Sequence, residues 1–104
     1  MKKLLSIVFV LFFCLSCASK IKKIANQFNE KNDYSSLQQF VELLPLESDT
    51  TILVDLLGMP TVKTSFDYRY IIDSVSDNRC PIGGVFHFNN KGKIDQKWVG
   101  EICE

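Results

Sequence analysis

The sequence predicts an α+β domain in which N-terminal helices pack on a three-stranded antiparallel β-meander, in the order ααβββ. Three observations carry that prediction. Apolar residues recur at helical spacing between Ile21 and Leu57, in short segments divided by turn-forming residues. From Phe66 the spacing changes to alternation with mostly polar neighbours. Near the end, Asn89-Asn90-Lys91-Gly92 separates two short runs rich in aromatic and β-branched residues, as in a hairpin.

Taken in order, Ile21, Ile24, Ala25 and Phe28 place a helix near residues 21–31, which Asn32-Asp33 should end. Ser35 or Ser36 can cap a second helix, with Leu37, Phe40, Val41 and Leu44 on one face and Pro45 as its stop. Ser48 or Asp49 can cap a third, from Thr50 to Leu57, striped by Ile52, Leu53, Leu56 and Leu57. Gly58 supplies a residue tolerant of positive φ and Pro60 blocks continuation. The β-branched residues Thr50, Thr51, Ile52 and Val54 lower helix propensity there, but the caps and the apolar stripe outweigh them.

Phe66, Tyr68, Tyr70 and Ile72 alternate with mostly polar neighbours, the pattern of a half-buried strand over 66–73. Residues 74–82 read as a polar connection. Residues 85–88 and 94–99 read as two further strands, joined by a type I turn followed by a left-handed residue. That turn sets Asn89 opposite Lys93, so the numbers of facing residues sum to about 182.

The first residues read as an address, not as structure. Lys2-Lys3 precede an apolar run from Leu4 to Leu15, the length of a signal-peptide core and short of the roughly 20 residues a membrane span needs. Ser16-Cys17 then resembles a lipobox, with Cys14 where leucine is usual and Leu15 one place late. The expectation is a signal peptide at 1–16, a lipid-bearing Cys17, a tether at 17–24 and one domain at 25–104. A plain signal peptide or an uncleaved anchor are the alternatives. Ala18-Ser19 after the cysteine favour the outer membrane, facing the periplasm. The leader inflates the hydrophobic fraction of 46% and carries two of the 12 basic residues. The remainder has 10 basic against 12 acidic residues, with no basic patch interleaved with aromatics, so no nucleic-acid partner is expected.

Of the other cysteines, Cys14 falls in the leader, leaving Cys80 and Cys103. Their numbers sum to 183, one away from the hairpin register, so a disulfide is expected in an exported chain. Two free buried thiols or a metal pair are the alternatives, but zinc needs more ligands and His87 alone is on offer.

Three segments bear on family: Leu56-Leu57-Gly58-Met59-Pro60, the aromatic strand Tyr68-Arg69-Tyr70, and Val85-Phe86-His87-Phe88-Asn89-Asn90-Lys91-Gly92-Lys93-Ile94. Their order and spacing, behind a lipobox, resemble the SmpA/OmlA (BamE-like) family of small envelope lipoproteins. The resemblance spans about 46–102. It implies helices on a three-stranded antiparallel sheet and an accessory role in outer-membrane assembly. The tyrosine- and asparagine-rich stretch that the family's best-known member uses for contacts is replaced here by Lys20 to Phe28, so no binding residue is transferred.

Candidate sites are few. His87 should face solvent, opposite Phe86 and Phe88. Asp49, Asp55, Asp67, Asp73, Asp77 and Asp95 are scattered singly, as solvated surface charges are. Gly83-Gly84 lacks the following helix and lysine of a phosphate loop. Alternation sets Trp98 on the face of Ile94 and Gln96, where it packs in the core or anchors an interface. Tyr68 and Tyr70 pose the same question. Lys20, Lys22 and Lys23 follow the lipid site and can touch anionic headgroups or remain solvated. No enzyme, cofactor or metal is expected. The function expected is a non-catalytic protein-interaction or scaffold domain held at the membrane by lipid, with a periplasmic inhibitor or ligand-binding module as the alternative.

Overall fold

A computed structural model describes residues 19–75 and 79–103 of the chain. The segment expected as a signal peptide, with Cys14, and the expected lipid site Cys17 therefore lie outside the described residues. Among the described residues the fold is α+β: three helices followed by a four-stranded antiparallel sheet. Helix α1 occupies described residues 19–31. Helix α2 is Tyr34–Leu43 and α3 is Thr50–Leu57. The strands are β1 (Val62–Lys63), β2 (Asp67–Val75), β3 (Pro81–Phe88) and β4 (Ile94–Glu101), ordered β1-β2-β3-β4.

Helical apolar spacing produces the core. Ile24, Ala25 and Phe28 of α1, Leu37, Phe40 and Val41 of α2, and Leu53 and Leu57 of α3 are buried together with Tyr70, Ile72, Phe86 and Ile94 of the sheet. These helices therefore cover the sheet face that carries Tyr70 and Phe86. Residues 19–24, expected as a tether, are helical, and Ile24 is already part of the core. Asn32 ends α1 in the left-handed region (φ 51°), its N–H donating to Phe28 O at 2.7 Å. The residue at the start of α2 is Asp33 rather than Ser35 or Ser36, and Ser36 is buried one turn in. Gly58 closes α3 at φ 81° and ψ −167°, a region open essentially to glycine alone.

The structure departs from the sequence reading at three points. The short strand β1 adds a fourth to the three expected. Two residues beside Pro60 carry too little alternation to be read as a strand; pairing of Val62 with Arg69 and Lys63 with Tyr68 creates it. The connection expected over 74–82 is shorter, because Val75 pairs with Pro81 across the β2–β3 hairpin. Residues 76–78 lie outside the described residues. Finally, Phe66, expected in the buried stripe, precedes β2 and is 51% exposed.

The β3–β4 hairpin forms as its sequence dictates. Asn89 N donates to Lys93 O at 2.9 Å, and Gly92 takes φ 73°. The Asn89 side-chain oxygen accepts from Lys91 N and Lys93 N. Phe88 faces Ile94, at the expected sum of 182. Between His87 and Phe88 the register then shifts: His87 faces Gln96, and Asp95 is the extra residue on β4. From there the sum is 183. That one residue brings Cys80 and Cys103 into register, and the structure joins them with Cα atoms 5.1 Å apart.

The hairpin is also locked to the helices. Glu47 N donates to Ile94 O, Ile94 N to Ser48 O, and Thr50 N to Gly92 O. Lys93 pairs with Asp49 at 2.8 Å. Lys97, facing Phe86 and so on the covered side, donates to the carbonyls of Val41 and Glu42 in the last turn of α2. That helix has no basic residue of its own in its last turn, so β4 supplies the cation its carbonyls favour. Burial holds the Lys97 ammonium below its usual pKa, with Glu42 opposing the shift.

Candidate functional site

Strand pairing lines up three rows of residues on the face of the sheet opposite the helices. Val62, Arg69, Val85 and Trp98 form one row across all four strands. Asp67, His87 and Gln96 form a second, and Ile71, Gly83 and Gly100 a third. Among the described residues no helix covers this face. It is the candidate interaction surface.

The first row is its apolar centre. Trp98 is 44% exposed, whereas Val85 beneath it is only 6% exposed. Val85 and Ile102 are buried but lie outside the main core, and both border a shallow hollow of about 220 Å³ with Arg69 and Trp98. Cys103 edges the same hollow, so the disulfide holds one rim of it in place. A partly exposed indole over a small hollow is the arrangement that aromatic anchors adopt at protein interfaces.

The second row is polar and internally paired. Asp67 is buried; its carboxylate accepts from Thr64 Oγ1 at 2.7 Å and from Arg69 Nε at 3.4 Å. Thr64 Oγ1 in turn accepts from the N–H groups of Phe66 and Asp67. This closes the β1–β2 turn and turns the Phe66 ring outward, its centroid 6.1 Å from that of His87. His87 Nδ1 lies 2.6 Å from Asp95 Oδ1. Ser65 borders the same side of the sheet as His87 and Asp95 but makes no hydrogen bond to the ring. Among the described residues, the hydrogen-bond partner of the imidazole is thus the Asp95 carboxylate.

Of the residues singled out from sequence, Trp98 is on the open face. Alternation had set it with Ile94, yet the extra residue Asp95 places Ile94 in the core and Trp98 on the opposite side. Tyr68 and Tyr70 are on the covered face. Tyr70 is buried, its hydroxyl donating to Gly58 O at 2.8 Å, and burial pushes its pKa up. It is a core residue and not a partner anchor. Tyr68 is half-buried, edge to face with Phe88 and below the Lys63 ammonium. His87 faces the open side as expected.

The aspartates are less isolated than their spacing suggests: Asp49, Asp67 and Asp95 each have a cationic or imidazole partner. Only the Asp67–Arg69 pair, two residues apart on one strand, is legible in the sequence; the other two depend on strand register or on the bulge. Among the described residues, Cys80, Glu101 and Cys103 are the one group of three potential metal ligands close together. Both sulfurs are committed to each other, so thiolate ligation there would first require reduction. No helix of the described residues is long and apolar enough to cross a membrane. Comparisons with models of protein families, with curated proteins and with solved structures find no match to this chain.

Proposed function

We propose that this chain is a lipid-anchored envelope lipoprotein whose domain acts as a non-catalytic interaction or scaffold module. Its lipid is carried on Cys17, and it faces the periplasm from the outer membrane. Support for the anchor comes from the charged start, the apolar run Leu4 to Leu15 and the cysteine that follows. A disulfide between Cys80 and Cys103 fits an oxidising compartment. The BamE-like resemblance supplies the outer-membrane assembly context, and helices preceding an antiparallel sheet accord with it.

One observation carries the interaction reading: the row Val62, Arg69, Val85 and Trp98 on an uncovered sheet face. It combines an exposed aromatic, a flanking guanidinium and a small apolar floor. Lipid on the same chain would hold this face near membrane partners and raise its effective concentration there.

Two measurements test the proposal. Metabolic labelling with a lipid precursor should mark the wild-type chain and not Cys17→Ala; equal labelling would remove the anchor. A photo-crosslinking amino acid at position 96, exposed on the same face as Trp98, should capture components of the barrel-assembly machinery in intact envelopes. The same probe at Ile52, exposed on α3, should not. Capture of a soluble hydrolase from position 96 would favour the inhibitor reading. Capture from position 52 alone would overturn the choice of face.

A further inference from the structure

The start of α1 is a cationic surface built into the domain. Lys20, Lys22 and Lys23 are all exposed, while Ile24, Ala25 and Phe28 of the same helix are buried. No acidic residue precedes Glu30 anywhere in the chain. The excess of acids over bases in the rest of the chain makes this cluster a local reversal of charge.

Its position relative to Cys17 is narrowly bounded. Lys20 is three residues on, hence within about 11 Å even at full extension. Lys22 and Lys23 lie only about 3–5 Å farther along a helix rising 1.5 Å per residue. Those distances are comparable to the Debye length of about 8 Å at physiological ionic strength. Nor can this segment drift away like a loose tether. Residues 19–31 are one helix, fixed to the core through Ile24 and Phe28 and to α3 by Asn29 Nδ2 donating to Leu56 O at 2.9 Å.

Resting on the lipid anchor at Cys17, we infer that the exposed lysine face at the start of α1 docks on anionic lipid headgroups of the membrane that holds the anchor. Lys20, Lys22 and Lys23 contact the headgroups while the buried face of α1 carries that contact into the domain. Lipid and lysines act as two points of attachment. They fix how the domain stands on the membrane, which a single point on a flexible linker does not. Each lysine contributes about fivefold to the affinity of the protein for an anionic surface.

The test uses the full lipidated chain, its lipid verified by intact mass so that a missing anchor is recognised separately. The protein is reconstituted in vesicles of phosphatidylcholine alone or with phosphatidylglycerol as a minor component. Lysine acetylation by a water-soluble reagent is then followed residue by residue. Lys20, Lys22 and Lys23 should react several-fold more slowly on the anionic vesicles. Lys91, exposed at the hairpin tip, should react equally on both. High salt should restore the rates of the first three. Equal rates on the two vesicle types overturn the inference, and so does equal protection on both, since that would mean insertion without regard to charge. A Lys20→Gln, Lys22→Gln, Lys23→Gln variant should keep its melting temperature but bind anionic vesicles no more tightly than phosphatidylcholine ones.

Discussion

On the covered face of the sheet, Tyr70, Phe86 and Ile94 are sealed beneath the helices, and the Phe86 ring meets Phe40 and Tyr70 edge to face at 6.1 and 5.8 Å. On the open face the same strands present Arg69, His87, Gln96 and a half-exposed Trp98, with Val85 as the sole buried residue of its row. The two faces differ in what their aromatic residues are for. Phe86 gains its stability from complete removal from water. Trp98 keeps much of its surface in water, and under the proposed function a partner would bury it. A sheet with one face covered lets a chain of this size build a core and still leave the other face open.

The largest test of that contrast is truncation on either side. Phe86→Ala should cost about 3–5 kcal/mol, as complete loss of a buried aromatic does, measured by denaturant midpoint. Trp98→Ala should cost at most about 1 kcal/mol while abolishing crosslinking from the open face. If Trp98→Ala destabilises as much as Phe86→Ala, the open face is part of the fold and not a reserved surface.

Next in size is the covalent link at the rim. Cys80 and Cys103 are 23 residues apart in sequence, and closing a loop of that length stabilises by about 3 kcal/mol in the chain-entropy model. The double Cys80→Ser, Cys103→Ser variant should lose about that much and leave the hollow beside Ile102 more open to hydrogen exchange. Alkylation of both thiols in the wild-type protein without reductant would show that the bond does not form.

A third test separates the faces at adjacent residues. A Cβ added at Gly84, on the covered side, would meet the Leu37 side chain at 3.2 Å, whereas one at Gly83 would fall 2.3 Å from Tyr70 O and 2.9 Å from Ile71 Cα. A leucine can shift by a few tenths of an ångström, but a paired backbone cannot. Gly83→Ala should therefore cost about 1–3 kcal/mol, and Gly84→Ala clearly less. The reverse order in melting temperature would mean that the helices, rather than β2, limit the approach to β3.

Local patterns made much of the fold legible. Helical spacing located α2 and α3, Asn32 and Gly58 marked helix ends, and Asn89 with Gly92 defined the hairpin turn. What escaped was long-range. β1 exists only because Arg69 and Tyr68 pair with it. Lys97 caps a helix more than 50 residues away in sequence. One extra residue, Asp95, moved Trp98 to the face opposite Ile94, because a strand's period of two turns a shift of one into a change of side. Of the three residues proposed as anchors, that shift left Trp98 on the open face, while Tyr70 went to the core. The proposed membrane anchor rests on residues 1–17 alone, outside the described residues.

The smallest effect concerns the residue that causes that shift. Asp95 sits beside His87 at 2.6 Å, with the two side chains 35% and 39% exposed. Solvent reaches both, so the pair should contribute less than about 1 kcal/mol. Asp95→Asn retains a carbonyl that can accept from the ring, so its denaturant midpoint should hardly move. Deleting Asp95 should be tolerated too. Gln96 would then follow Ile94 directly and still face His87, which straightens the ladder and leaves Trp98 opposite Val85 and Cys80 beside Cys103. Adding a residue is a different matter. With His87 still facing Gln96, an alanine inserted between Gln96 and Lys97 would turn Trp98 toward Gly84 and the helices. It would also set Cys103 one position out of register with Cys80. The insertion should therefore fold poorly and leave both thiols open to alkylation, while the deletion and Asp95→Asn keep the disulfide. If instead Asp95→Asn alone freed the thiols, the Asp95 carboxylate would be holding the bulge. The separation of the two faces would then depend on charge and not on residue count.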